Sequence, residues 1–258
     1  MFESENILMK DIVDLLFEKY KKSQKIINEI YIFRKEVVVL TGSDFGASGV
    51  YSDDVLMNYS KKYKCYSEFK GKTVQYLFEN MLDANSSVER SIKLATINSL
   101  IEEPKNLIEC NSFDYLSYDY LKDKKISFIG HFPRAEKMRA NGLDVNIIEL
   151  IPREGDISWD NSHEILQKTD IIYITGHTIL NNSFLEVINR TPNAQKRLMA
   201  GMSVPLHPVL MECGIDIIGT SLILEPVQMI RYWQYGGAGM KYAPPGALKT
   251  CIWDKSLI

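Results

Sequence analysis

Lys125-Ile126-Ser127-Phe128-Ile129-Gly130-His131-Phe132-Pro133 decides the fold: a short apolar run ends in glycine, and a proline then opens a helix. The same grammar returns at Asp170-Ile171-Ile172-Tyr173-Ile174-Thr175-Gly176-His177-Thr178. Taken with these, strands read at 126–130, 145–149, 170–175, 196–200 and 216–219. Helices read from Pro133, near 162–168, near 183–190, from Pro205 to Cys213 and from Pro226 to Tyr235. Short apolar strands separated by amphipathic helices specify a mostly parallel sheet covered on both faces. Right-handed crossovers make it a doubly wound, Rossmann-like α/β structure.

The chain before Lys125 has a different texture. Ile7, Leu8, Ile12, Leu15, Leu16, Tyr20, Ile26 and Ile27 fall near helical spacing with Lys and Glu between them, which predicts one amphipathic helix over 7–32. Glu36-Val37-Val38-Val39-Leu40 and Ala47-Ser48-Gly49-Val50-Tyr51 flank a turn-rich Thr41–Gly46, the pattern of a β-hairpin or meander. Asp44 and the pair Asp53-Asp54 are the carboxylates near it. Thr73, and Ser86 or Ser87, read as helix N-caps and Pro104 as a helix stop. The predicted organisation is a small α+β domain over 1–110, a polar, tyrosine-bearing connection over 111–124, and the Rossmann-like domain over 125–258. The glycine-rich Gln234–Met240 follows a helix, the wrong side for a phosphate cradle, and reads as a flap or interdomain packing segment.

At 258 residues, 45% hydrophobic and 24% charged, the chain can build a sizeable core without covalent staples. A net charge of -3, with neither half strongly basic, argues against nucleic acid as a partner. No apolar run approaches the roughly 18 residues of a membrane span. The acidic start Met1-Phe2-Glu3-Ser4-Glu5 is unlike a signal peptide, so the expected compartment is the cytoplasm. Cys65, Cys110, Cys213 and Cys251 are scattered with no C-x-x-C and read as structural thiols rather than a disulfide framework or zinc knuckle. A homodimer is expected only on the general prevalence of two-fold assemblies.

In an open parallel sheet, ligands bind outside the strand carboxyl ends where the strand order reverses. His131 and His177 stand at two such ends, so neighbouring strands would turn both imidazoles to one crevice. Imidazole suits both metal ligation and acid–base work near neutral pH. The loop Glu149-Leu150-Ile151-Pro152-Arg153-Glu154-Gly155-Asp156 adds three carboxylates at the same edge. His131 and His177 with Glu154 or Asp156 would suit zinc, nickel or iron(II), although no H-x-x-H spacing fixes the geometry. Gly176, Thr178, Asn181, Ser203 and Thr220 suit a polar small molecule or anion near helix N-termini, and equally suit the turns and caps themselves. Only Gly130 survives of a G-x-G-x-x-G fingerprint, so a standard NAD site is not expected. Glu149, about 20 residues on, stands where a ribose-binding acid would lie and keeps a nucleotide-like or S-adenosylmethionine-like ligand in view. His207, between Pro205 and Pro208, reads as structural and His163 as surface.

Gly130-His131-Phe132-Pro133, Glu149-Leu150-x-Pro152-Arg153-Glu154-Gly155-Asp156, Asp170-x-x-x-x-Thr175-Gly176-x-Thr178-x-x-Asn181, Gly201-x-Ser203-x-Pro205 and Gly214-x-Asp216-x-x-Gly219 together resemble the "putative heavy-metal chelation" family. Its C-terminal domain is Rossmann-like. The hairpin around Gly42–Val50, Phe69-Lys70-Gly71-Lys72 and Glu89-Arg90-Ser91-Ile92-x-Leu94-Ala95-Thr96-Ile97-Asn98 resemble its usual partner domain, similar in fold to the enolase N-terminal domain. The resemblance covers nearly the whole chain. It implies that His131 belongs to the family motif, whereas His177 stands where the family has a small residue.

Three functions are in view from this reading. One is binding of a transition metal, or a metal complex of a small chelator, in the interdomain cleft, with His131 leading and His177 and a carboxylate of Glu149, Glu154 or Asp156 in support. The other is an enzyme acting on a small polar metabolite, with His131 as acid or base. A regulatory or scaffold module is the third.

Overall fold

The computed structural model describes residues 11–50, 65–81, 86–238 and 242–257. Helix α1 (Ile12–Tyr20) begins at Asp11, whose carboxylate accepts from the Val13 N–H. Strand β1 (Ile27–Ile32) pairs antiparallel with β2 (Glu36–Thr41), which pairs antiparallel with β3 (Asp44–Gly49). The helix predicted over 7–32 is therefore corrected: its second half is a strand. Ile27, Ile30 and Ile32 are β-branched, and the β2 ladder gives them backbone partners and a surface to pack on. The β2–β3 hairpin follows the sequence reading, with Gly42 supplying φ +62° in the turn. Ile7, Leu8, Tyr51, Asp53 and Asp54 lie outside the described residues.

Thr73 caps α2 (Val74–Asn80) through Tyr76 N–H, and Ser86 caps α3 (Ser87–Asn98) through Glu89 N–H. Helix α3 ends before Pro104 is reached: the Ser99 hydroxyl donates to Thr96 O at 2.7 Å and closes the last turn. Strand β3 crosses this turn so closely that a Cβ on Gly46 would fall 2.0 Å from the Ala95 carbonyl oxygen.

The remainder runs β4 (Ile108–Glu109), α4 (Tyr118–Leu121), β5 (Lys125–Ile129), α5 (Pro133–Ala140), β6 (Asp144–Glu149), β7 (Ile157–Ser158), α6 (His163–Gln167), β8 (Ile171–Thr175), α7 (His177–Leu180), α8 (Phe184–Arg190), β9 (Lys196–Ala200), α9 (Pro208–Glu212), β10 (Ile217–Ile223), α10 (Pro226–Gln234) and β11 (Leu248–Asp254). These strands form one sheet in the order β4-β11-β10-β9-β8-β5-β6-β7. From β10 to β7 every pair is parallel, while β11 is antiparallel to both β10 and β4. The sequence reading ended at α10 and did not anticipate β11. The parallel run starts at β5, moves outward through β6 and β7, and returns to β8 on the other side of β5. The reversal point thus lies between β5 and β8, where Gly130-His131 and Gly176-His177 stand.

Alternating residues of the parallel strands feed two cores. Ile129, Ile148, Ile172, Ile174 and Met199 face one cluster, and Phe128, Ile147, Ile171, Tyr173 and Leu198 face another with Ala135 and Met138 of α5. Each such fully buried side chain contributes about 1.5–3 kcal/mol. The first cluster continues without a break into Ile12 and Leu16 of α1, Val37 and Val39 of β2, and Ile92 and Ile97 of α3. Val38 points to the opposite face of the small sheet and packs with Met229 and Trp233 of α10. Arg90 ties α3 to α7 and to the start of α1 by donating to Ile179 O while ion-paired with Asp11. No helix among the described residues is long and apolar enough to cross a membrane.

Candidate metal centre

Strand β5 ends in a turn that only glycine can make. Gly130 has φ +98°, and a Cβ there would fall 2.9 Å from Thr175 Cγ2 on neighbouring β8. The turn carries His131 toward β6, where its backbone N–H donates to Glu149 Oε1 at 2.6 Å. Glu149 is thereby tied to the main chain that holds the imidazole. Pro133 then sets the first turn of α5, so Glu136 comes around beside the His131 ring.

The loop after β6 supplies the third group. Gly155, at φ +86°, closes a tight turn in which Asp156 N–H donates to Arg153 O at 3.0 Å and Arg153 N–H donates to Asp156 Oδ2 at 3.1 Å. This folds the Asp156 carboxylate inward until its side chain is only 1% exposed. Its Oδ2 lies 3.5 Å from His131 Nδ1, and Glu136 Oε1 lies 3.9 Å from His131 Nε2. One ligand atom from each of His131, Glu136 and Asp156 falls within 4.8 Å of the others. Nδ1 of His131 is buried and has no hydrogen-bond partner among the described residues.

These residues fit a divalent transition metal. Ligands at about 2.0–2.1 Å in tetrahedral geometry lie roughly 3.3–3.4 Å apart, close to the His131–Asp156 separation. Closing the set takes a shift of roughly 1–1.5 Å, within reach of the Glu136 side chain, which is 49% exposed. One nitrogen and two carboxylate oxygens form a borderline-to-hard donor set suited to zinc, nickel or iron(II).

The other candidate residues are placed elsewhere. His177 begins α7, and its ring lies against the end of β3: a Cβ on Gly49 would fall 2.9 Å from its Nε2. Burial, helped by Lys35, pushes its imidazole below the ordinary range. His131 and His177 thus flank the reversal point on adjacent strands, but His177 is not among the groups that converge on His131. Glu154 is exposed at the loop tip. Gly176 allows close packing on Val204, and the Thr178 hydroxyl donates to Thr175 O. Asn181 Oδ1 accepts from the Ser183 N–H and hydroxyl, and Ser203 Oγ accepts from Gly49 N–H at 2.7 Å. Thr220 lines a cavity of about 610 Å³ between the small sheet and the β10 end, together with Asp44, Asn98, Glu102 and Ser221. Sequence reasoning missed Glu136; its one signal was an acid in the first turn of a helix that begins two residues after His131.

A family model described as "putative heavy-metal chelation", DUF364, matches residues 113–252. An uncharacterised protein of Methanocaldococcus jannaschii is 24% identical over 241 residues, which is 89% of this chain and 90% of that one. A DUF364 protein of unknown function from Desulfitobacterium hafniense superposes with a TM-score of 0.77 at 21% identity, over 97% of this chain and 99% of that one. Another from Pyrococcus horikoshii gives 0.74 at 14% identity, over 96% and 99%. At these identities the two structures establish likeness of fold.

Proposed function

The chain belongs to the DUF364 family, described as "putative heavy-metal chelation", and on that premise we propose that it binds a divalent transition metal through His131, Glu136 and Asp156. The observation that carries this reading is the buried Asp156 carboxylate facing a buried imidazole nitrogen that has no hydrogen-bond partner among the described residues. A buried carboxylate is stabilised by a cation, and an unsatisfied buried nitrogen by an acceptor or a metal; one ion answers both needs. Glu149 supports the site by holding the His131 backbone. His177 and Glu154, expected as ligands from the sequence, have no part in this reading.

The test is isothermal titration of metal-free protein with Co(II), Ni(II) and Zn(II), followed by visible spectroscopy of the Co(II) form. One equivalent should bind, with a d–d spectrum that reports a protein-bound ion. His131→Ala and Asp156→Asn should each lose it while unfolding at the wild-type temperature. Retention of stoichiometric metal in both variants would overturn the assignment.

A second reading is favoured by the 610 Å³ cavity. Its Thr220, Ser221, Asn98 and Glu102 offer polar contacts to a small metabolite between the small and large sheets. A ligand recovered with metal-free protein, and lost on Thr220→Val, would favour this reading.

A further inference from the structure

Three protein donors leave a transition-metal ion incomplete. A tetrahedral ion keeps one position open and an octahedral ion keeps more. Glu149, the remaining carboxylate of the neighbourhood, has Oε1 committed to the His131 backbone N–H. The buried side of the cluster is closed by Asp156, while the open side is the one where Glu136 is half exposed. Whatever completes the coordination therefore arrives from solvent past Glu136.

A cation stands on that rim. Arg139, one turn along α5 from Glu136, has Nη1 3.6 Å from Glu136 Oε2 and 4.0 Å from the point where a Gly155 Cβ would lie. Its Nε donates to Val145 O at 3.3 Å, which fixes the root of the guanidinium and leaves the outer nitrogens directed toward the cluster rim. The side chain is 36% exposed, so it borders the cluster and the solvent at once. Glu136 faces His131 through Oε1 and Arg139 through Oε2 at the same time, so a metal contact through Oε1 leaves the ion pair in place and holds Arg139 at the rim. With Nη1 beside Glu136 Oε2 and Nε on Val145 O, the outer edge of the guanidinium keeps donors for a second carboxylate.

Resting on the metal reading above, we infer that the occupant of this site is a metal together with a small oxygen chelator. A divalent transition ion sits on His131, Glu136 and Asp156, and its open positions take the oxygens of a 2-hydroxy- or 2-oxocarboxylate whose carboxylate is received by Arg139. Gly155 matters twice in this arrangement, since its positive φ turns Asp156 inward and its missing side chain leaves room beside Arg139.

The experiment loads the protein with Co(II), then titrates lactate while the visible spectrum is recorded, with lactamide as the control that lacks the carboxylate. Loading precedes the lactate step, so the two ideas fail at different points. Failure to take up Co(II) overturns the metal reading and this inference with it. Saturable spectral change with lactate, at least tenfold weaker with lactamide and at least tenfold weaker in Arg139→Gln, supports the inference. Uptake of Co(II) with no saturable lactate response overturns the inference alone, as does equal lactate affinity in wild type and Arg139→Gln. Arg139→Lys is the companion variant: retaining charge without the fork, it should recover only part of the lactate affinity.

Discussion

Replacing Tyr173 with Phe should stabilise the protein, an uncommon outcome for a change at the centre of a core. Tyr173 sits in β8 with no exposure, its ring stacked on Phe128 at a centroid distance of 4.5 Å and an interplanar angle of 6°. Phe113 packs on it at 5.6 Å. The hydroxyl has no hydrogen-bond partner among the described residues, and burial pushes the phenol far above its ordinary range. A buried polar group left unsatisfied costs about 1–3 kcal/mol. Removing one oxygen leaves a void smaller than a methyl group, costing under about 1 kcal/mol. The difference is a gain of about 1–2 kcal/mol, with the ring stacking untouched. For a chain of this size that corresponds to a rise of roughly 2–8 °C in the unfolding midpoint. Urea unfolding read by tryptophan fluorescence, together with calorimetry, measures both quantities. A loss of 1 kcal/mol or more at unchanged m value would refute the reasoning, because it would mean that the hydroxyl is bonded in solution.

Two further outcomes are expected. Glu149→Ala should weaken metal binding about 10–100-fold in calorimetric titration, as loss of an outer support typically does; unchanged affinity would remove Glu149 from that role. Stability should fall between pH 6.5 and about 4 because of His207, whose imidazole is pushed down to about 4 by burial and by Lys19. Its Nδ1 accepts from Val209 N–H and its Nε2 lies 2.7 Å from Lys19 Nζ, so the folded state refuses a proton that the unfolded chain accepts. The contribution is complete above pH 6.5 and is lost as pH falls through the window. After allowance for partial exposure it amounts to about 1–2 kcal/mol. Urea midpoints at pH 7 and 4.5 should differ less in His207→Gln than in wild type, and equal differences would exclude His207.

The α/β half was readable because strands buried on both faces have few alternatives. Ile171-Ile172-Tyr173-Ile174 divides its side chains between two cores, and such a run bounded by glycine makes a parallel strand. The first helix was overextended for the converse reason: Ile26, Ile27 and Ile30 satisfy helical and strand spacing alike, and only the partner strand β2 decides between them. Strand β11 escaped because it follows the glycine-rich segment and is antiparallel, outside the alternation that precedes it. At the candidate site, His131 and Asp156 were nominated from a glycine-flanked strand end and its facing loop. Glu136 was not, since a charged residue on a short helix carries no mark of which neighbour it meets. His177 has the same local sequence grammar as His131, yet its ring lies against Gly49, a contact 128 positions away that no local pattern encodes.

The hydrophobic cluster shared by α1, β2, α3 and the large sheet has a consequence for synthesis. When the first hundred or so residues leave the ribosome, Ile12, Val37 and Ile92 can meet one another, but the part of their cluster that Ile172 and Met199 supply has still to emerge. At about 5–20 residues per second that interval is on the order of 5–20 s. During it the nascent chain presents the unfinished side of that core to solvent, the kind of surface that chaperones shield.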